Sequence, residues 1–342
     1  MKWNGIRQEV SRLVSGITPT QDSDFLNFMG GTRRQLLTSP QSEQSFIVTN
    51  IIFSKVNSND IKSLEKLLKE MSDSRFTIPD FPPEHSKREI LRLGNYFLPQ
   101  VFNKTGLTSK VPPSHVHDLL NHLGFHCGTL YYADLVIEAM FRNGRNIEKN
   151  KNYLDFGSSS GRVVRVLKAA YPESNWFGCD PITEAIEWAK ENLPGINFSN
   201  SSQIPPLPYN DNQFSMVFAI SIWSHFSEKA AITWFEEINR IIEPRGLLIF
   251  STHGLNSLQY YYQNDGKPET EIQKARETLL EMGFCYEDVF KPGHYGLDLS
   301  DWGNCYILPE WILVNLLCDW KLLLYQVGRA DLNQDVYVLE KK

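Results

Sequence analysis

The spacing of hydrophobic residues changes character near residue 150. Before that point, apolar positions recur at intervals of three and four. Residues 60–71, DIKSLEKLLKEM, put Ile61, Leu64, Leu67, Leu68 and Met71 on one side of a helix. Asn57, Ser58 and Asn59 stand just ahead as caps. Residues 129–142, TLYYADLVIEAMFR, carry a second helical pattern. Prolines at 79, 82–83 and 112–113 mark turns between the two. Residues 1–149 show no alternation of strands with helices, so a mostly helical N-terminal region is expected.

From Asn152 onward the pattern alternates. NYLDF (152–156) predicts a strand and RVVRVLKAAY (162–171) a helix. NWFGCD (175–180) predicts a second strand, and TEAIEWAKENL (183–193) a helix closed by Pro194–Gly195. INFS (196–199) and FSMVFAIS (214–221) predict a third and a fourth strand. SEKAAITWFEEINRII (227–242) aligns Ile232, Phe235, Ile238 and Ile241, with Ser227 as its N-cap. Pro244 and Gly246 end that helix, and GLLIFS (246–251) predicts a fifth strand. KLLLYQV (321–327) and DVYVLEK (335–341), joined by a short polar loop, predict an antiparallel pair at one edge. Apolar strands alternating with amphipathic helices imply a parallel α/β sheet covered on both faces. Between the fifth strand and that pair, residues 252–320 are longer than a simple crossover needs. One helix fits at 269–282, with Gly283 as its C′ residue. The aromatic- and turn-rich remainder suits an insertion that builds a substrate pocket.

Composition narrows the setting. The 342 residues are 42% hydrophobic, 22% charged and 12% aromatic, with a net charge of −6. No sequence-wide basic footprint for nucleic acid or an anionic membrane exists. The apolar stretch from Trp311 is interrupted by Asn315, Asp319 and Lys321 and is too short to span a membrane. No signal-peptide core opens the chain, and Cys127, Cys179, Cys285, Cys305 and Cys318 lack metal-ligand spacing. Reduced thiols in a cytoplasmic protein are expected.

Candidate chemistry is concentrated in LDFGSSSGRV, residues 154–163. A strand ends at Asp155–Phe156, a loop places Gly157, Ser159 and Gly161 at alternate positions, and a helix opens. Small residues let a ligand approach the backbone, and the helix start presents unpaired N–H groups. A dinucleotide fingerprint needs glycine at the first, third and sixth positions, but the sixth from Gly157 is Arg162. The loop therefore suits a cofactor without a pyrophosphate.

This segment resembles the first motif of the class I S-adenosylmethionine-dependent methyltransferases, an acid, an apolar residue and Gly-x-Gly-x-Gly. Asp155, Gly157 and Gly161 match it, and Ser159 stands where the family has its middle glycine. Asp180, 25 residues after Asp155, stands where the family has its ribose-binding acid. Residues 204–228 and 236–254 are similar to the segments around the family's fourth and fifth strands. The resemblance implies a Rossmann-like seven-stranded sheet over residues 150–342, the last two strands coming from the closing hairpin and the seventh antiparallel. It implies S-adenosyl-L-methionine as cofactor, with Asp155, Gly157, Ser158, Ser159, Gly161, Asp180, Pro181 and Ser221 around it. Asn200 and Ser201 stand where the family often contacts adenine.

These expectations define an enzyme that methylates a small-molecule acceptor, with O-methylation of a sugar or secondary metabolite expected first. N-methylation of a small amine is the alternative within the class, and a non-catalytic binding protein with this fold is the alternative outside it. A hydroxyl acceptor needs a base, and an imidazole, with an ordinary pKa of about 6.5, can accept a proton at neutral pH. His225 is the first candidate, His253 the second and His294 the third. Neither a histidine–acid cluster nor the acidic pair of magnesium-dependent relatives is present, so no metal is expected. Residues 1–149 are expected to form a lid or the arm of a homodimer.

Overall fold

A computed structural model describes residues 45–70, 83–113, 116, 129–290, 297, 301–316, 318–330 and 333–342. Its helices are α1 (Ile47–Phe53), α2 (Ser58–Glu70), α3 (Pro83–Phe97), α4 (Pro99–Phe102) and α5 (Leu130–Arg142), then α6 (Val164–Ala170), α7 (Thr183–Asn192) and α8 (Glu228–Ile241), and finally α9 (Leu255–Asn264), α10 (Glu269–Met282) and α11 (Pro309–Leu316). Its strands are β1 (Asn152–Phe156), β2 (Asn175–Asp180), β3 (Ile196–Asn200), β4 (Phe214–Ala219), β5 (Ile242–His253), β6 (Phe284–Glu287), β7 (Asn304–Ile307), β8 (Trp320–Ala330) and β9 (Gln334–Lys341).

Strands β3, β2, β1, β4 and β5 lie side by side in that order, all parallel. Beyond β5, β9 runs antiparallel from Leu247↔Glu340 to His253↔Gln334, and β8 pairs antiparallel to β9. The closing hairpin thus completes a seven-stranded Rossmann-like arrangement with its last strand reversed, as the sequence implies, and β7 and β6, joined to the end of β5, bring the sheet of the described residues to nine strands. Inside each strand, successive side chains enter opposite layers. Tyr153, Met216, Phe218, Ile249, Val336 and Val338 pack on one face, whereas Leu154, Val217, Ala219, Leu248, Tyr337 and Leu339 pack on the other. Both faces are buried, which is why these strands read as nearly unbroken apolar runs.

Helix α8 covers the second face through Trp234, Phe235, Ile238 and Ile241. Ser227 caps it, accepting a hydrogen bond from the Ala230 amide at 3.2 Å. Helices α6 and α7 cover the first face, together with Val48, Ile52, Leu64, Leu68, Leu91 and Leu93 of the N-terminal helices. The described N-terminal helices therefore share one core with the sheet. A buried polar junction joins them. Asp134 of α5 accepts from the Thr49 hydroxyl at 2.5 Å and from Arg88 at 2.7 Å.

Several boundaries shift. Strand β5 extends to His253, two residues past the expected end, because β9 and β7 prolong its pairing. Helix α10 ends before Gly283, whose φ of 73° is left-handed. The 252–320 insertion holds α9, the antiparallel pair β6–β7 and α11 in addition to the expected helix. Met71, Pro79 and Pro82 lie outside the described residues, as do His115, His117, His122 and Cys127. Among the described residues, no helix is long and apolar enough to cross a membrane.

Candidate functional site

The loop after β1 is shaped by backbone geometry. Gly157 and Gly161 both have φ of 77°, and Ser159 adopts φ of 45°. Left-handed backbone is costly for residues with a Cβ. The amides of Gly157 and Ser158 both donate to the Cys179 carbonyl, at 2.9 and 3.0 Å, folding the loop onto the end of β2. A Cβ on Gly157 would stand 2.2 Å from Ile222 Cδ1, so the loop after β1 packs tightly against a side chain of the turn after β4. A Cβ on Gly161 would meet Leu193 at 2.7 Å and Phe198 at 2.9 Å. Gly161 therefore serves the turn and its packing, and it does not line the cleft described below. Arg165 of α6 braces the loop, donating to the carbonyls of Ser160, Gly161 and Lys110.

The two acids have different surroundings. Asp155 is buried, and Oδ2 accepts from the Val164 amide at 3.3 Å, at the start of α6. Burial lifts its carboxyl to about 8, with the Val164 bond and Arg162 opposing. Asp180, at the end of β2, accepts from the Ile182 amide at 2.9 Å through Oδ1 and from the Ser159 amide at 2.8 Å through Oδ2. Burial lifts it to about 6 against those two bonds. A carboxylate has about four acceptor positions, so capacity remains for hydroxyl donors.

At the end of β4 the chain turns sharply. Ser221 has φ of 62° and donates its amide to Ser251 Oγ at 2.9 Å. Its hydroxyl accepts from Gln334 Nε2 at 2.6 Å and lies 3.2 Å from Ser224 Oγ. Gln334, at the start of β9, also accepts from the Ser251 hydroxyl at 2.6 Å. Three strand ends are thus cross-linked beneath the turn.

The insertion clamps the residues that follow. Ser227 donates its amide to Asp301, Gly303 to His225, and Cys305 to Ser224, at 3.1, 2.8 and 2.8 Å. Phe226 and Trp302 form an antiparallel bridge. Residue His253 pairs with Gln334 on one side and with Tyr306 of β7 on the other. The β6–β7 hairpin therefore occupies, above the end of β4, the side of β5 that β4 occupies lower down. His225 Nδ1 lies 2.9 Å from the Gly303 carbonyl. A carbonyl only accepts, so Nδ1 carries the proton and Nε2 the lone pair. His253 is 3% exposed. Burial drives its imidazole down to about 3, and the neighbouring His225 adds to the shift. Its ring centroid is 6.0 Å from that of His225.

These elements enclose a cleft of about 1010 Å³ at the carboxyl ends of the strands, the place where open parallel sheets bind ligands. Gly157, Ser159, Asp180, Pro181, Ser201, Ser221, His225 and His253 line it together. Asp155, Ser158 and Gly161 stand behind the lining and shape the loop. His294 lies outside the described residues. Sequence reasoning missed Gln334, Gly303, Trp302 and Tyr261. The aromatic density of 284–306 was a signal for Trp302, but nothing local marks Gln334 or the Gly303 carbonyl. Among the described residues, no three His, Cys, Asp or Glu side chains are grouped to hold a metal ion.

Residues 154–246 match the model of a family described as methyltransferase domain. The chain is also similar to solved structures. The PH0226 protein of Pyrococcus horikoshii is 15% identical, with 63% of this chain and 92% of that one covered and a TM-score of 0.44. A SAM-dependent methyltransferase of Methanosarcina mazei is 16% identical, with 60% and 96% covered and a TM-score of 0.42. A SAM-dependent methyltransferase of Aquifex aeolicus is 13% identical, with 68% and 100% covered and a TM-score of 0.41.

Proposed function

We propose that this chain, whose residues 154–246 match a methyltransferase domain, is a class I S-adenosylmethionine-dependent methyltransferase that O-methylates a small molecule. The observation that carries the reading is the placement of His225: its lone-pair nitrogen is set by the Gly303 carbonyl, and its ring lines the same cleft as Asp180 and Gly157.

The lining fits the cofactor. Asp180 offers acceptor positions for the two ribose hydroxyls, and charge-assisted bonds of this kind are the stronger ones. Gly157 lines the cleft beside Ile222, and a Cβ there would collide with that side chain. Pro181, Ser201 and Ile182 border the region beyond the ribose acid. A cleft of about 1010 Å³ is at the upper end of ordinary small-molecule sites, which suits a cofactor and a small acceptor together. When bound, S-adenosylmethionine supplies an activated methyl group on a sulfonium. The protein's own residues do the rest. Asp180 and the 157–161 loop orient, the aromatic insertion excludes water, and Nε2 of His225 takes the acceptor's proton. His253, held neutral by burial, is a poor base at neutral pH and serves instead as a hydrogen-bonding group in the wall.

Calorimetry with S-adenosylhomocysteine and with a nicotinamide dinucleotide tests the reading. S-adenosylhomocysteine is expected to bind in the micromolar range, about −8 kcal/mol. Tighter binding of the dinucleotide would overturn the assignment.

A further inference from the structure

Beyond the loop residues the cleft runs into a chamber walled by rings. The His225 centroid is 4.7 Å from Trp302 and 5.7 Å from Phe290. His253 is 4.9 Å from Tyr261, and Phe226 is 5.6 Å from Trp302. Among the described residues, two nitrogens in this wall are buried with no hydrogen-bond partner: His253 Nδ1 and Trp302 Nε1. Three other buried indoles are satisfied. Trp176 donates to the Tyr171 carbonyl at 2.9 Å, Trp223 to Ala231 at 3.4 Å, and Trp311 to the Glu228 carboxylate at 2.6 Å. A buried polar nitrogen left unpaired is costly, and Trp302 and His253 both border the cleft.

We propose that this chamber takes a hydroxylated aromatic acceptor. Its planar ring packs among the side-chain rings, and its oxygen substituents pair with Trp302 Nε1 and His253 Nδ1 beside His225. The proposal rests on the methyl-transfer reading above and names its substrate class. Indole N–H only donates, so the ligand must bring an acceptor atom. An ammonium brings none and would face a donor instead. A sugar offers hydroxyls around its whole rim, whereas Phe226 and Phe290 can pair with none of them. Flat rings stack edge-to-face or offset against such walls. In the transfer, a bond forms between the acceptor oxygen and the methyl carbon. The carbon–sulfur bond breaks with its electron pair left on sulfur, and the hydroxyl proton goes to His225 Nε2.

The test uses the whole protein saturated with S-adenosylhomocysteine and titrated with 2-naphthol, methyl glucoside and 2-naphthylmethylamine. 2-Naphthol is expected to bind at least tenfold tighter than either of the others. Trp302→Phe keeps a ring and deletes the N–H, and it is expected to weaken 2-naphthol at least tenfold while leaving S-adenosylhomocysteine affinity within threefold. His253→Phe is expected to behave in the same way. Preferential binding of the glucoside or the amine, or an undiminished 2-naphthol affinity in both variants, overturns the proposal. If S-adenosylhomocysteine itself fails to bind the native protein, it is the methyl-transfer reading that falls. If it binds and 2-naphthol does not, only the acceptor class falls.

Discussion

The Gly303 carbonyl sits 2.9 Å from His225 Nδ1, so a main-chain atom of the insertion sets the tautomer of a residue at the end of β4. If Nε2 of His225 accepts the acceptor's proton, His225→Ala should lower kcat by about 10²-fold or more, the usual size of a lost general base. S-adenosylhomocysteine affinity should stay within about threefold, under 1 kcal/mol. A parallel fall of affinity and rate would make His225 a cofactor-binding residue, and no change in either would remove it from the mechanism.

Asp180 should impose a pH dependence on cofactor binding. Its carboxyl is lifted to about 6 by burial, so it is largely protonated at pH 5 and ionised at pH 7. The ionised form is the better acceptor for ribose hydroxyls, so affinity should climb between those values and level off above them. Asp180→Asn should cost on the order of 2–3 kcal/mol of binding and flatten the climb. Calorimetric titrations at a series of pH values read both effects. A variant that keeps the native pH profile would show that another group titrates.

Gly157→Ala should destabilise the fold through two separable causes. The left-handed φ costs a residue with a Cβ about 1–2 kcal/mol, and the new methyl would strike Ile222. Pairing it with Ile222→Ala removes the collision but leaves the backbone cost. Urea unfolding of the two singles and the double should give a favourable coupling on the order of 0.5–3 kcal/mol. Strict additivity would place the strain elsewhere.

His253 should make the protein acid-sensitive. Its folded-state pKa is depressed to about 3, below the ordinary value of 6.5. Between those values the unfolded chain binds the extra proton, so stability rises with pH and is lost as pH falls from about 6.5 toward 3. His253→Phe should lose less stability between pH 7 and 5 than the native protein does. Equal losses would assign the acid sensitivity to other groups. Asp155 acts in the opposite direction. Its carboxyl is raised to about 8, so its contribution weakens as pH rises from about 4 to 8.

Much of this architecture was legible from periodicity. The strands from 152 to 219 and helices α7, α8 and α10 are apolar runs and stripes long enough to register, and Ser227 and Gly283 mark their ends by known capping chemistry. The β6–β7 hairpin was not legible, because four residues such as Phe284–Glu287 carry too little alternation to stand out. The loop at 157–161 and Asp180 were visible because small residues and an acid sit at fixed distances from predicted strands. Gln334 was invisible for a different reason. Its role comes from pairing with Ser221 and Ser251 across strands 113 and 83 residues away. The packing at Gly161 was equally invisible: its missing side chain makes room for Leu193 and Phe198.

The antiparallel contact between residues 224–227 and 301–305 has a consequence for how specificity can be altered. The stretch that supplies Trp302 to the cleft also supplies the carbonyl that contacts His225 Nδ1. If Trp302 holds the acceptor and His225 takes its proton, recognition and proton handling are not interchangeable modules. A graft of the β6–β7 hairpin from another enzyme would transplant a new wall and reset the imidazole in one stroke. Library designs that diversify the wall side chains while keeping the Gly303 backbone would vary what is bound without disarming the chemistry.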